Sequence, residues 1–462
     1  MNGKTADVGA IIDHAKLSRF QVVVLVMCFL IVLVDGFDAA GIGYIAPLVR
    51  KEWGLQASQL SPAFGAGLFG LMCGSFLVGP VADTFGRKKV LLFSVLVFSL
   101  GTLASAASQS IGMLTILRFL TGIGLGGAMP TCITLSSEYS PARRRMLMVT
   151  LSYSGFTTGL ALGGEVASHV IPAFGWRGLL VVGGVVPLLM LPMLARWLPE
   201  SVRFMAVNPR HQARLAAVVA KITGTGGWDA VTFVEPERPV IRQSPVTQLF
   251  AEGRTPRTLL LWGAFFCSLF VFYLLTSWLP SIFKDAGYDI ASAARIGAMV
   301  PLGGTFGAIV IALLMDRLGA YWVLSVGYLG AAAAIVLVGF ALTNAVELGA
   351  AVFLVGFCIA GAQNGLNLLS ASIYPTTARA TGVSWAMANG RIGSIIGSMA
   401  GASLIAQLGQ GQMLFNVIAI PALAGAVSLI LLARLTQRTD SPGERDVSVT
   451  GRVSEYVNDG NA

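Results

Sequence analysis

The chain has 462 residues, of which 55% are hydrophobic and only 11% are charged. Soluble domains carry about 25% charged residues, so this composition excludes a soluble protein and predicts an integral membrane protein. The net charge of +9 does not indicate nucleic-acid binding, because the basic residues lie in short loops rather than on one face. The apolar runs are about twice as long as the ~10-residue strands of a membrane barrel, which favours helices.

Twelve apolar runs are long enough to cross a bilayer, since a spanning helix needs about 20 mostly apolar residues. The spans are predicted at 20–48, 59–81, 90–108, 111–136, 147–171, 176–197, 258–283, 292–315, 321–342, 347–372, 380–407 and 412–435. A polar stretch separates the sixth span from the seventh. The predicted parts are an N-terminal six-helix bundle (1–197), a central cytoplasmic linker (198–257), a C-terminal six-helix bundle (258–435) and a polar cytoplasmic tail (436–462).

The loops between the spans predict the orientation of the chain. The loops at 83–89 and 140–146 are rich in Lys and Arg, whereas those at 107–110 and 407–412 have neither. Cytoplasmic loops carry the excess of Lys and Arg, so the basic side is predicted to be cytoplasmic. An even number of spans then places both termini in the cytoplasm.

The two halves of the chain repeat several residues at a nearly constant offset. Three pairs differ by 233 positions and a fourth by 234: Pro47 and Pro280, Gly54 and Gly287, Asp83 and Asp316, and Pro141 and Pro375. The aspartates lie in matching loops between the second and third spans of each half. Such repeats bracket a central site in transporters, so the chain is predicted to be an all-α membrane protein with two pseudo-symmetric bundles of six helices.

Several motifs resemble the major facilitator superfamily. The segment "GPVADTFGRKK" (79–89) matches its loop signature G-x-x-x-D-x-x-G-R-[KR], and "RFLTGIGLGG" (118–127) and "LPESVRF" (198–204) resemble its fourth-helix motif and the end of its sixth span. Four further stretches resemble the aromatic acid:proton symporter family within it: "DGFDAAGIGYIAP" (35–47), "LLTSWLP" (274–280), "GAQNGLN" (361–367) and "YPTTARATGVSWAMANGRIGS" (374–394).

This resemblance implies the major facilitator fold in a bacterial inner membrane and proton-driven import of aromatic carboxylates such as hydroxybenzoates or benzoate. The expected partners are that carboxylate, the proton and the lipid bilayer, with no nucleic acid, and the protein is expected to act as a monomer. The fifth span lacks the Pro of the superfamily's antiporters, which favours symport. No G-x₄-G-K-[ST] loop or catalytic motif is present. We therefore expect no cofactor and no enzymatic activity. The proton gradient is the expected energy source.

Asp35 and Asp38 stand three residues apart in the first span, so they share a helix face. An ionisable side chain at mid-span costs at least ~2.5 kcal/mol and indicates function by default. Mutual repulsion and burial both favour the protonated form of such carboxylates, which predicts a proton site. Alternatively, one of them is a structural hydrogen-bond acceptor or lies at a helix break beside Gly36.

Two arginines lie inside predicted spans, Arg118 in the fourth and Arg391 in the eleventh. The planar guanidinium binds carboxylates through two parallel hydrogen bonds and stays charged. We expect Arg391 to bind the substrate carboxylate and Arg118 to form a charge relay with the aspartates. In the alternative interpretation, both arginines only hold helices together.

Further candidates for substrate binding carry amide or aromatic side chains. Asn364 and Asn367 are suited to bonding a ring hydroxyl or the carboxylate, although polar contacts between helices are nearly as common. Aromatic side chains stack on rings but also anchor spans at the interface. Glu165 and His169 are four residues apart on the fifth span. Either Glu165 is expected to tune substrate choice, or His169 simply lies at the outer interface of the membrane. The remaining candidates are Gln363, Tyr273, Trp278, Trp385 and Asn389.

The resemblance also implies a gate at the cytoplasmic mouth that does not contact substrate. The second copy of its loop, "MDRLGAYW", lacks the basic run after Gly319, so its half of the gate is expected to be weaker. Two rival functions remain open at this point: export of aromatic or drug-like compounds, and transport combined with chemoreception. The expected gating residues are Asp83, Gly86, Arg87, Glu138, Arg143, Asp316 and Arg317.

Overall fold

A computed structural model describes residues 4–228, 231–234, 245–251, 253–374, 379–409 and 411–439. The N-terminal bundle is built from long helices preceded by one short strand and one short helix. In chain order these elements are β1 (Lys4–Asp7), α1 (Val8–His14), α2 (Arg19–Trp53), α3 (Ala57–Phe85), α4 (Arg87–Ala106), α5 (Ile111–Glu138) and α6 (Arg145–Trp197).

Shorter elements follow before the second set of long helices. The connecting region holds α7 (Val202–Val207), a 3₁₀ turn (Pro209–His211), α8 (Gln212–Thr223), β2 (Val231–Val234) and α9 (Pro245–Gln248). Another 3₁₀ turn, Ala142–Arg144, lies between α5 and α6. The C-terminal bundle consists of α10 (Thr255–Asp285), α11 (Ile290–Leu318), α12 (Ala320–Phe340), α13 (Ala345–Ile373), α14 (Arg379–Leu408) and α15 (Gln412–Thr439). Most of the predicted tail, and Pro375 of the repeat, lie outside the described residues.

The described chain crosses the membrane region twelve times. Ten helices are long and apolar enough to span a bilayer by length and composition. One of them, α6, contains two spans, because Gly175 has a positive φ of 68° and breaks the helix in its middle. The remaining span is α14, a continuous helix of 30 residues whose apolar sequence contains Arg391. The predicted all-α class with two six-helix sets is therefore confirmed.

The turns of the two halves have the same backbone geometry. Gly86 has φ 94° and ψ 145°, and Gly319, which lies 233 positions later, has φ 88° and ψ 141°. The turns that follow the first helix of each half match too, because Gly54 and Gly287 both have positive φ values. Only glycine adopts these conformations without strain. The sequence repeat thus corresponds to a structural repeat.

Small residues let the helices of each bundle approach closely. A Cβ atom on Gly159 of α6 would lie 1.9 Å from the carbonyl oxygen of Leu33 in α2, and one on Gly356 of α13 would lie 1.8 Å from that of Val300 in α11. Membrane helices associate through such close packing because lipid offers no hydrophobic drive for association. These contacts hold α2 against α6 and α11 against α13.

We call the end of the bundles that carries the loops 83–89 and 140–146 the basic end, and the opposite end the far end. At the basic end, β1 pairs with β2 in a parallel two-stranded sheet, and Asp13 of α1 forms an ion pair with Arg145. The sequence analysis described this connecting region only as a polar linker. Strands of four residues show too little periodicity to be predicted, and their pairing joins segments more than 200 residues apart.

Candidate functional site

A narrow cavity lies between the two bundles near the middle of the long helices. Its walls are mainly apolar and aromatic, with a few polar groups, which is typical of sites for small organic ligands. Both halves contribute to it through α3, α5, α6, α10, α13 and α14. The lining residues are Leu71, Met129, Tyr153, Phe156, Phe265, Leu269, Tyr273, Gln363, Asn367, Met387, Arg391 and Ser394.

Arg391 is the only charged side chain among the described residues that line this cavity. It comes from α14 of the C-terminal half and shares the cavity wall with Tyr153 of the N-terminal half and Tyr273 of its own half. A guanidinium in such an apolar cavity is a strong binding group for a carboxylate, because its fork of N–H donors matches the two carboxylate oxygens.

Asp35 is fully buried, and neither of its carboxylate oxygens has a hydrogen-bond partner among the described residues. The helix is continuous at this point, so the predicted break beside Gly36 does not occur. Instead, Gly36 lets α2 pack on α6, where an added Cβ would lie 2.1 Å from the carbonyl oxygen of Phe156. Asp35 therefore lacks the hydrogen bonds that normally stabilise a buried carboxylate.

Asp38 has a different environment. Its carboxylate accepts a hydrogen bond of 2.6 Å from the Thr102 hydroxyl and pairs with Arg118, whose Nη1 lies 3.2 Å from Oδ2. Arg118 also donates to Ser105 at 3.1 Å and to Thr121 at 3.4 Å. The pair is buried and hydrogen-bonded, so the role of structural acceptor describes Asp38 better than Asp35.

The three amides predicted on the tenth span do not share one environment. Gln363 and Asn367 line the cavity, whereas the amide nitrogen of Asn364 donates to the carbonyl of Ala360 at 3.4 Å in its own helix. Residues four apart on a helix share a face and residues one apart do not. The pair that lines the cavity is thus Gln363 and Asn367, not the expected Asn364 and Asn367.

The predicted aromatic residues also separate. Tyr273 lines the cavity, but Trp278 is fully buried and donates to the carbonyl of Ser398 at 2.7 Å. Trp385 is 45% exposed and stacks on Trp262 with 5.8 Å between ring centroids.

The amide of Asn389 donates to the carbonyl of Trp262 at 2.7 Å. Asn389 is therefore placed in contacts between α14 and α10. Together with Trp278 and Trp385, it lies outside the residues that line the cavity.

Glu165 lies at the far end, 54% exposed, with its carboxylate 3.6 Å from Arg295 of the other half. His169 is 3.5 Å from the same carboxylate. A second ion pair across the halves joins Arg50 to Asp285 at 2.9 Å. The structure places Glu165 in an ion pair between the halves at the far end, rather than at the cavity where substrate binding was expected.

Three of the expected gating residues at the basic end, Gly86, Arg87 and Glu138, belong to one network on the N-terminal side. Arg87 forms an ion pair with Glu138, whose other oxygen accepts a 2.6 Å hydrogen bond from the Ser201 hydroxyl. Glu200 accepts from the backbone N–H of Lys88 at 3.0 Å, in the first turn of α4, where a negative charge is favourable. Gly86 forms the turn itself, and a Cβ there would meet the Glu200 carboxylate at 2.5 Å.

Three other expected gating residues lie apart from this network. Arg143 is exposed in a 3₁₀ turn, and its neighbour Arg145 forms the ion pair with Asp13 instead. Asp316 and Arg317 are exposed at the end of α11. The side chain of Asp83 lies outside the described residues.

The sequence analysis missed several cavity residues. Tyr153 is the clearest case, because a hydroxyl group inside the apolar fifth span was a visible signal. Met129, Phe156 and Met387 gave no such signal, since apolar residues in a span look alike until the packing is known. Glu200 was also missed as a partner of the loop after α3, although it lies within the recognised segment 198–204.

Comparison of the sequence with known proteins shows which family the chain belongs to. The sequence profile of the Major Facilitator Superfamily matches residues 28–314 and 291–455. The chain is 41% identical to the 4-hydroxybenzoate transporter PcaK of Pseudomonas putida over 93% of this chain and 96% of that protein. It is 42% identical to the gallate transporter of Pseudomonas putida over 92% of this chain and 94% of that protein.

A solved structure shares the fold at lower identity. The xylose transporter XylE from E. coli, in a partially occluded inward open conformation, is 18% identical and superposes with a TM-score of 0.71 over 90% of this chain and 98% of that chain. The proteins similar in sequence are named transporters, not enzymes. This chain is a multi-pass membrane protein that belongs to the Major Facilitator Superfamily, in the branch that contains these aromatic acid transporters.

Proposed function

We propose that the protein is a proton-coupled symporter that imports aromatic carboxylates by alternating access. The names of its relatives supply the substrate class. The observation that carries the proposal is the cavity between the halves, which combines the cation Arg391 with aromatic and apolar walls. The energy source is the proton gradient, and no cofactor takes part.

Substrate binding uses Arg391 for the carboxylate and the cavity walls for the ring. Tyr153 and Phe156 belong to the N-terminal half, whereas Phe265 and Tyr273 belong to the C-terminal half. Aromatic faces and edges pack favourably on a substrate ring. Because the ring contacts both halves, bound substrate favours the arrangement in which the halves enclose it.

Coupling follows from competition for Arg391. When Asp35 is ionised, its carboxylate competes for the positive charge of Arg391, and the substrate carboxylate is bound less tightly. When Asp35 takes up a proton, the full charge of Arg391 becomes available to the substrate. Binding of the proton thereby favours binding of the carboxylate, and binding of the carboxylate favours binding of the proton. Symport requires this reciprocity. Asp38 and Arg118 hold α2, α4 and α5 in position around this site.

Transport then requires the halves to open alternately. The ion pairs Arg50–Asp285 and Glu165–Arg295 close the far end. We place the far end outside the cell and the basic end, with both termini, in the cytoplasm of a bacterium. Each monomer carries its own pathway. Opening of the far end admits proton and substrate, and its closure precedes release at the basic end.

The test is uptake of labelled 4-hydroxybenzoate into proteoliposomes with an imposed proton gradient. We expect accumulation that collapses when a protonophore is added. Asp35→Asn should still exchange labelled for unlabelled substrate across the membrane but should not accumulate it. The matched control is Asp289→Asn, an exposed cap of α11 where Asn caps equally well, and it should accumulate normally.

Accumulation by Asp35→Asn equal to that of the original protein contradicts the coupling role of Asp35. Efflux driven by an inward proton gradient, with no uptake, favours the rival function of an exporter. Failure to move any aromatic acid in either direction contradicts the proposed substrate class.

A further inference from the structure

Two amide side chains of α13 that line the cavity carry unsatisfied hydrogen-bond acceptors. Gln363 and Asn367 are four residues apart, so they lie on one face of the helix, about one turn from each other. Both line the cavity. The side-chain carbonyl oxygens of both amides are buried and have no hydrogen-bond partner among the described residues. A buried acceptor without a partner is unfavourable, which makes these two oxygens a site for a ligand that donates.

The two unpartnered oxygens suit the hydroxyl end of the substrate rather than its carboxylate end. A carbonyl oxygen repels a carboxylate and pairs with an O–H or N–H group. On an aromatic acid, the group that donates is a ring hydroxyl. The carboxylate has its own partner in Arg391, which comes from α14. The cavity therefore offers a cation for one end of the ligand and two acceptors for another.

The wall between these polar groups fits a ring. Phe265, Leu269 and Met387 line the same cavity and present only apolar or aromatic surface. Such a wall binds the ring of benzoate and of hydroxybenzoate equally well, so it does not distinguish them. Discrimination has to come from the acceptors of α13.

We propose that Gln363 and Asn367 select aromatic acids that carry a ring hydroxyl, because one of their two amide oxygens accepts the hydrogen bond that this hydroxyl donates while Arg391 holds the carboxylate. This inference rests on the proposed function and names the substrate subclass of the same cavity. Benzoate leaves both acceptors buried and unpaired. Sites that bond a substrate hydroxyl discriminate strongly against the analogue that lacks it.

The first experiment uses the original protein in proteoliposomes with labelled 4-hydroxybenzoate and three unlabelled competitors: benzoate, 3-hydroxybenzoate and 3,4-dihydroxybenzoate. We expect benzoate to compete at least about tenfold more weakly than the hydroxylated acids. Equal competition by benzoate overturns the inference and leaves the proposed function intact. Absence of uptake of every aromatic acid overturns the proposed function and this inference with it.

The second experiment compares the variants Gln363→Leu and Asn367→Leu. Loss of the amide that accepts from the hydroxyl should lower the preference for 4-hydroxybenzoate over benzoate to within about threefold, with benzoate uptake retained, because the apolar wall and Arg391 remain. Asn416→Leu is the matched control, since Asn416 is an exposed amide on α15 outside the cavity, and its preference should not change.

A fluorescent C-terminal tag reports whether each variant reaches the membrane. A preference that stays unchanged in both variants at normal membrane levels overturns the inference. Should both variants fail to insert, the competition series on the original protein decides the question by itself.

Discussion

The Asp38 carboxylate and the Arg118 guanidinium form a buried ion pair within the N-terminal bundle, with 3.2 Å between Oδ2 and Nη1. Removing one partner of a buried pair leaves an uncompensated charge, which costs far more than the pair contributes. Asp35 lies one helical turn away without such a partner. Two acids that look equivalent in the sequence therefore have different environments, and we expect them to respond differently to substitution.

Arg118→Gln is expected to destabilise the protein by about 3–5 kcal/mol, because Asp38 is then buried without a counter-charge. The measurement is thermal unfolding in detergent. Arg177→Gln serves as the control, since Arg177 pairs with Glu52 at the far end and is 41% exposed. Exposed pairs contribute at most about 1 kcal/mol. Equal unfolding temperatures for the two variants contradict a stabilising role of the buried pair.

Arg391→Lys should raise the KM for 4-hydroxybenzoate by about tenfold or more, because an ammonium keeps the charge but loses the two parallel hydrogen bonds. Arg391→Gln should abolish saturable uptake. Initial rates over a range of substrate concentrations measure both effects. Arg434→Gln, at an exposed position near the end of α15, is the control for a lost positive charge. A normal KM in Arg391→Gln contradicts the assignment of Arg391 as the carboxylate site.

Charge reversal at the far end should shift the balance between the two states of the transporter. Arg50→Asp repels Asp285 and is expected to raise the population open at the far end by up to about fivefold, because a partly exposed ion pair contributes at most about 1 kcal/mol. The combined swap Arg50→Asp with Asp285→Arg should restore closure. Spin labels at the exposed positions Ser58 and Val346 report the distance between the halves. A distance distribution that is identical in all variants contradicts the role of this pair in closing the far end.

Gly36→Ala should destabilise the bundle by about 1–3 kcal/mol, because the new methyl group would overlap the carbonyl of Phe156 unless α2 moves away from α6. Gly41→Ala on the same helix is the matched control. Gly41 is buried too, but no atom lies within 4 Å of an added Cβ, and Ala has the higher helix propensity. Thermal unfolding in detergent separates the two variants. Greater loss of stability in Gly41→Ala contradicts this account of the α2–α6 contact.

Much of the fold could be predicted from local sequence. An apolar run of about 20 residues has one favourable solution in lipid, a helix that satisfies its own backbone hydrogen bonds. The twelve spans and the repeat at an offset of 233 followed from that rule and from Gly and Pro positions. The β1–β2 pairing could not be predicted, because it depends on contact between distant short segments.

The sequence by itself determined that this protein is a helical membrane protein of duplicated design, that Asp35, Asp38, Arg118 and Arg391 lie inside apolar spans, and that its loops carry a superfamily signature. Only the tertiary structure decided which of these charges meet. Asp38 is satisfied by Thr102 and Arg118, 64 and 80 residues along the chain, whereas Asp35 is not. The rotation of α13 likewise brings Gln363 and Asn367, rather than Asn364, to the cavity. Spacing along a helix shows which side chains share a face, but what that face meets is set by packing against other helices.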